Sequence, residues 1–173
     1  MNISFEVKGL DTVVNRLDRY QIDYNRKVKD FLTKLVEIGI DISSAAFRNA
    51  QYDGSNDVIV NPPQWLGDNA LVISAQGQTI TFIEFGAGVY YTEEHPKANA
   101  FGMHRGEYGQ GKGKQNTWGY YGEQGTNGEY LKTTDKGDLF LTHGNPPSKA
   151  MYNAGKEMRL RMLEIAKEVF KFD

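Results

Sequence analysis

Residues 23–49, DYNRKVKDFLTKLVEIGIDISSAAFRN, place apolar side chains at intervals of three and four along their whole length. This spacing is typical of an amphipathic helix with one apolar face. A shorter patch at residues 13–17 begins the same pattern, so a long helical segment is predicted from about residue 12 to residue 50, with a break near Tyr20–Asp23. The piece after the break would be roughly 40 Å long at about 1.5 Å per residue, with Gly39 as its weak point.

The two ends of the chain flank this segment with further elements. Ile3–Lys8 alternates apolar and polar side chains, which predicts a short half-buried strand. Asp11 then has the side chain preferred at a helix N-cap. Near the other end, Asp138–His143 is predicted as a last strand, and Ser148 is predicted to cap a final helix whose apolar residues lie on one face.

Residues 51–85 differ in character, because they contain four acidic residues and no Lys or Arg. Three short runs, Val58–Val60, Ala70–Ala75 and Thr79–Phe85, have the composition of strands. The last two are predicted to form a β-hairpin around the turn Gln76–Gln78.

Residues 86–137 hold 12 of the 19 glycines and 8 of the 21 aromatic residues, with six basic and six acidic side chains. Neither a helical nor a strand period persists there. Long structureless loops in domains are usually functional, and flexible linkers are poor in aromatic residues. We therefore interpret this segment as a Gly/aromatic-rich insertion that becomes ordered against another molecule.

Together these elements predict a single α+β domain over residues 1–173, with an antiparallel sheet packed against a long N-terminal helix and a C-terminal helix. The net charge of −2 argues against a generic polyanion binder. The absence of cysteine excludes disulfides, Cys-based zinc sites and thiol nucleophiles. No apolar run approaches the length of a membrane span, and the first residues lack the pattern of a secretory signal.

Histidines and carboxylates in the insertion are the strongest candidates for a metal site or for acid–base chemistry in a small enzyme. They are His95, His104, Glu93, Glu94 and Glu107. The histidine spacing matches no established ligand pattern, and His95, next to Pro96, is expected to be exposed. The stretch Gly106–Gly113 fits a phosphate-binding loop through its lysine but lacks the Ser or Thr that follows it. No catalytic residue, metal or cofactor is therefore predicted.

Aromatic and basic residues alternate in the insertion, which is compatible with two kinds of interface. Stacking rings with phosphate contacts are typical of a nucleic-acid surface. Tyr, Trp and Arg are also enriched at protein interfaces, and the equal number of acidic residues favours this alternative. The residues predicted to contact a neighbouring subunit are Tyr108, Trp118, Tyr120 and Tyr121.

Three motifs, in this order, carry a resemblance to a known family. They are Val7–Asp11 before the long helix, Phe82–Gly88 (FIEFGAG), and Thr142–Pro147 (THGNPP) running into Ala150–Ala154 on the last helix. This order resembles the tail-completion, or neck, proteins of long-tailed bacteriophages, the lambda Z-like minor tail family. The resemblance covers roughly two thirds of the chain, and residues 86–137 are the part least covered.

The resemblance implies a virion structural protein without enzymatic activity and without a cofactor. Copies would form a homo-oligomeric neck ring, assembled in the host cytoplasm, between the head connector or adaptor proteins and the tail terminator or tail tube proteins. Genomic DNA would pass through the lumen without sequence-specific binding, and no membrane would be involved. A tail terminator or head-closure protein is the nearest alternative, and a DNA-binding protein that uses the Gly/Tyr/Lys insertion is another.

Ring closure requires a head-to-tail contact between two different surfaces. The acidic residues 51–85 of one copy are expected to approach the slightly basic C-terminal helix of the next, so charge reversal at Arg159 and Arg161 should weaken assembly. Phe85 and Glu84 are candidate contacts with a neighbouring copy, and Glu84 is expected at the rim of the sheet. Its carboxylate either accepts hydrogen bonds from nearby backbone amides or forms an ion pair with the next copy. Gly86 is expected to allow a sharp turn through positive φ.

Overall fold

The computed structural model describes residues 8–107 and 112–171, and within them the chain forms helices and short antiparallel strands. The helices are α1 (Leu10–Arg48), α2 (Ile80–Phe85), α3 (Ala98–Phe101) and α4 (Ala150–Val169). The strands are β1 (Ile59–Val60), β2 (Gln64–Leu66), β3 (Ala70–Val72), β4 (Ala75–Gln76), β5 (Trp118–Tyr121), β6 (Glu129–Thr134) and β7 (Gly137–Thr142). The predicted α+β class is confirmed.

The long helix α1 is unbroken over 39 residues, or about 58 Å at ~1.5 Å per residue. The predicted break near Tyr20–Asp23 is therefore wrong, and so is the predicted N-cap, since Gly9 occupies that position and Asp11 lies in the first turn. The predicted strand Ile3–Lys8 lies outside the described residues except for Lys8. No helix of the described part of the chain has the length and apolar character needed to cross a membrane.

Helix α4 packs antiparallel along the second half of α1. At one end of the contact the Phe170 ring, just past α4, lies 5.9 Å from the ring of Tyr24 and 5.8 Å from that of Phe31. Further along, a Cβ at Gly39 would lie 2.6 Å from the Met158 sulfur. Gly39 is thus not a weak point but the position where a missing side chain lets the two helices approach.

The strands form three small antiparallel sheets in the described residues, β1–β4, β2–β3 and β5–β7–β6, rather than the one predicted. The predicted hairpin around Gln76–Gln78 is wrong, because β4 pairs back with β1 and residues 80–85 are helical. Hydrogen bonds to Asp57 support the helical start at residue 80. Its carboxylate accepts hydrogen bonds from Gln78 N (2.7 Å), Thr79 N (3.0 Å) and the Thr79 hydroxyl (2.5 Å), which holds the N-cap residue of α2, Thr79, and the residue before it.

The glycine-rich segment 86–137 is part of the domain fold. Its strands β5 and β6 flank β7, which confirms the strand predicted at Asp138–His143. The Tyr120 ring of β5 stacks on that of Phe140 of β7, with centroids 5.6 Å apart. The described parts of the segment are therefore ordered against their own chain, which corrects the interpretation that only another molecule orders them.

The core lies where α1, α2 and α4 meet. Phe47, Ile83 and Ala150 form its buried cluster, and Tyr52 and Val58 pack against it. The predicted cap Ser148 is wrong, because Lys149 holds the N-cap position and the Ser148 hydroxyl has no hydrogen-bond partner among the described residues.

Two backbone segments touch directly beside this core. Ala87 and Asn145 form an antiparallel bridge through hydrogen bonds of 2.9 and 3.1 Å. Gly86 has φ 85°, as expected, and Gly144 has φ 78°. A Cβ at Gly144 would lie 2.0 Å from the Ala87 carbonyl oxygen, so only glycine fits at position 144.

The substitution Gly144→Ala is expected to lower the free energy of unfolding by about 3 kcal/mol or more, because it adds a backbone clash to the strain of positive φ. Gly137→Ala is the matched control. Gly137 has φ 105° and open space around it, so its substitution costs only the strain, about 1 kcal/mol. Urea titration of both variants measures the difference, and equal losses would contradict the close approach.

Acid is expected to weaken the capping of α2. The hydrogen bonds from Thr79 and Gln78 lower the pKa of Asp57 below its ordinary value, so this stabilisation is complete above about pH 4 and is lost as pH falls through the lowered pKa. Asp57→Asn should therefore be less stable than the wild type at pH 7, and the difference should shrink in acid. Asp68→Asn, at an exposed position, is the control, and thermal unfolding from pH 7 to pH 2.5 is the measurement. A constant difference would be evidence against this role.

Candidate functional site

The buried carboxylate of Glu84 lies at the amino-terminal end of α4. Its Oε2 accepts a hydrogen bond from Met151 N and its Oε1 accepts one from Tyr152 N, both at 3.1 Å. These amides belong to the first turn of the helix, where no intrahelical acceptor exists and the helix dipole favours negative charge. Glu84 therefore caps α4 from a distant part of the chain.

His95 completes this buried network. Its Nδ1 accepts a hydrogen bond from Lys97 N at 3.0 Å, so its Nε2 carries the proton and donates to Glu84 Oε1 at 3.2 Å. The imidazole is also in contact with the rings of Phe85 (4.3 Å) and Tyr152 (5.5 Å). The expectation that His95 is exposed is wrong, since only 5% of its surface is accessible.

Of the two roles left open for Glu84, the structure shows hydrogen bonding to backbone amides of its own chain. Only 6% of the residue is exposed, and it lies on a helix rather than at the rim of a sheet. Phe85 packs within the same chain, 5.6 Å from the ring of Phe101. Glu84 thus holds α2 to α4, Phe85 packs against His95 and Phe101 of α3, and an intersubunit role is assigned to neither.

The other histidine considered for metal binding lies elsewhere on the surface. His104 Nδ1 is 3.4 Å from Glu94 Oε1, and the pair is largely exposed. Across residues 8–107 and 112–171, no group of three or more His, Cys, Asp or Glu side chains has a geometry that could hold a metal ion.

A cleft of about 460 Å³ brings together most of the aromatic residues predicted to form an interface. Trp118, Tyr120 and Tyr121 of β5 line one side of it, and Tyr52 and Phe82 also contribute to its wall. Tyr121 is half exposed, whereas Trp118 and Tyr120 are partly buried. The fourth predicted residue, Tyr108, lies outside the described residues.

Asp53 ties the segments around this cleft to one another. Its Oδ1 accepts a hydrogen bond from Asn127 N (2.6 Å), and its Oδ2 accepts one from the Thr142 hydroxyl (2.5 Å). Burial, together with the carboxylates of Asp57 and Asp53, raises the pKa of the Tyr52 hydroxyl. Sequence reasoning singled out neither Asp53 nor Tyr52, and the only signal was that residues 51–85 are acidic without a basic partner.

Arg159 and Arg161 lie on the exposed surface of α4, away from the cleft. Arg161 Nε donates to Glu157 Oε1 at 2.7 Å, and this hydrogen bond raises the pKa of Arg161. Arg159 is exposed and forms no ion pair with any residue of the described chain. Beside it, Leu160 and Leu163 expose 68% and 65% of their surface.

In residues 51–85, fewer carboxylates are exposed and unpaired than the four acidic residues of the sequence indicate. Glu84 is buried, and the carboxylates of Asp53 and Asp57 accept hydrogen bonds from their own chain. The fourth acid, Asp68, lies on the surface 3.5 Å from the Lys29 ammonium. These geometries weaken the expectation that this segment presents a negative face to a neighbouring copy.

Comparisons of the chain with protein-family models, with curated proteins and with solved structures found no match. Function is therefore inferred from the motifs and contacts described above.

Glu84→Gln is expected to lower the free energy of unfolding by about 2 kcal/mol, because a neutral amide with two donors faces the donors of α4 and His95. For a chain of this size the midpoint of thermal unfolding should fall by about 4–8 °C. Glu157→Gln removes an exposed ion pair on the same helix and should change stability by less than about 0.5 kcal/mol. Circular dichroism melting distinguishes the two, and equally small effects would refute the capping role of Glu84.

Proposed function

We propose that this chain is a bacteriophage virion structural protein that forms a neck ring joining the head connector to the tail tube. The supporting observation is that two of the three motifs of the resemblance, Phe82–Gly88 and Thr142–Pro147 with the following Ala150–Ala154, lie against each other. Ala87 bridges Asn145, and Glu84 accepts hydrogen bonds from the first turn of α4. Two motifs that are distant in sequence thus form one hydrogen-bonded unit.

The exposed surfaces also favour a head-to-tail assembly. The first turns of α1, with Leu10 and Leu17, and the outward side of α4, with Leu160 and Leu163, each expose large apolar side chains. Exposed apolar surface of this extent is typical of interfaces. A contact between two different surfaces, repeated around an axis, closes into a ring. A tail terminator or head-closure protein would occupy a neighbouring layer of the same neck and use the same kind of contact.

A DNA-binding function receives less support from the geometry. Asp53 is one of the residues that line the aromatic cleft, and among its described lining residues there is no Lys or Arg. Arg105, a basic residue of the insertion, donates a hydrogen bond to the Tyr91 carbonyl oxygen of its own chain at 2.9 Å. In the neck, DNA would pass through the lumen without being held by specific contacts.

Light scattering of the purified chain, alone and with candidate connector and tail-tube proteins, tests the proposal first. We expect the chain alone to give a single discrete mass that is a multiple of 19.5 kDa and larger than one copy, or the mixture with a partner to give a discrete complex larger than either component. Adding the purified chain should also restore infectivity to a mixture of heads and tails prepared from a phage that lacks this protein.

The proposal would be overturned if the chain stayed monomeric alone and bound none of the candidate partners. Salt-dependent binding of that monomer to duplex DNA would then support the DNA-binding alternative, because phosphate contacts release counterions.

A further inference from the structure

Helix α1 extends well beyond the part of the domain that covers it. Helix α4 ends at Val169, close to Tyr24, and every residue from 10 to 22 is exposed. We call residues 10–24 the amino-terminal arm. Its length is about 22 Å at ~1.5 Å per residue.

The arm has an apolar face that the described part of the chain leaves uncovered. The residues of this face recur at intervals of three and four, as on the buried part of the same helix, and they are Leu10, Val13, Val14 and Leu17. Leu10 and Leu17 expose 60% and 62% of their surface. Asp11 and Asp18, seven residues apart, lie along one flank of this face.

The side of α4 that points away from α1 has the complementary character. Its residues are Lys156, Arg159, Leu160, Leu163 and Lys167, all of them exposed, and we call them the α4 outer face. The side that contacts the rest of the domain contains Ala154, Met158 and Ile165 instead. The three basic residues of the outer face form no ion pair with any residue of the described chain. Leu160 and Leu163 thus lie beside three basic side chains, and the exposed Glu164, one turn after Leu160, is the one carboxylate next to them on this side of the described helix.

We propose that the amino-terminal arm of one copy packs on the α4 outer face of the next copy, an inference that rests on the proposed ring. Leu17 of the arm would contact Leu160 and Leu163. The flanking carboxylates of Asp11 and Asp18 would face the basic side chains of the outer face. The two surfaces are of similar length, since the outer face spans about 17 Å along α4.

This contact has the geometry that a ring needs. The arm and the outer face are different surfaces of the same chain, so the contact is head-to-tail and leaves one free arm and one free outer face at the ends of any open chain of copies. Closure of the ring pairs these last two surfaces. The arm also supplies exposed carboxylates for the basic side chains of α4, whereas most carboxylates of residues 51–85 are buried or bonded within their own chain.

Because the chain has no cysteine, single introduced cysteines report this contact without background. Leu17→Cys and Leu163→Cys are made in separate preparations, mixed at a concentration that supports assembly, and treated with a short bismaleimide. We expect cross-linked dimers containing one copy of each variant. Leu17→Cys mixed with Lys132→Cys, an exposed position on β6, is the control and should give at least tenfold fewer dimers.

Charge exchange provides a second, independent readout. Asp18→Lys and Arg159→Glu should each raise the dissociation constant of self-association about tenfold at low salt, and the two changes combined in one chain should restore most of the loss. Lys136→Glu, on an exposed turn, is the control and should have no effect. Circular dichroism confirms that each variant remains folded.

The interface is overturned if the cross-link equals its control, if the charge variants associate like the wild type, or if the wild type stays monomeric with and without partners. Failure of the neck function gives a different result. Cross-linked oligomers that cannot join heads to tails would refute the neck function and keep the interface. If the cysteine variants give no cross-link above the control but the chain still joins heads to tails, the interface is refuted and the neck function is kept.

Discussion

The fold depends on a single buried anion, the Glu84 carboxylate. An ionised group removed from water is tolerated only when hydrogen bonds replace its hydration. Two amides at the start of α4 and the imidazole of His95 supply those bonds. Since α4 packs along α1, the hydrogen bonds of this one group connect α2 and His95 to the layer formed by α1 and α4.

The hydrogen bonds around Glu84 continue into the turn that follows it. Ser148 N and Lys149 N donate to the carbonyl oxygens of Ile83 and Glu84, and the bridge between Ala87 and Asn145 extends the contact. A Cβ at Gly88 would lie 2.9 Å from the Trp118 ring, so glycine also brings the aromatic cleft close to this backbone. The resemblance motifs therefore serve a structural purpose that their residue types explain.

Periodic segments were predictable from the sequence and isolated contacts were not. The extents of α1, α4 and β7 follow from spacing along the chain, which needs no knowledge of distant residues. Residues 80–85 alternate in a way that indicates a strand, but the carboxylate of Asp57, more than twenty residues earlier, turns them into a helix. The burial of His95 likewise depends on Glu84, and the aromatic cleft depends on Asp53 joining segments far apart in sequence.

The unbroken length of α1 has a mechanical consequence. The first third of a stiff rod, residues 10–22, extends outside the core and the rest packs against the domain, with no proline between Leu10 and Arg48 to act as a hinge. A torque applied to the exposed end is therefore transmitted directly to the body of the domain.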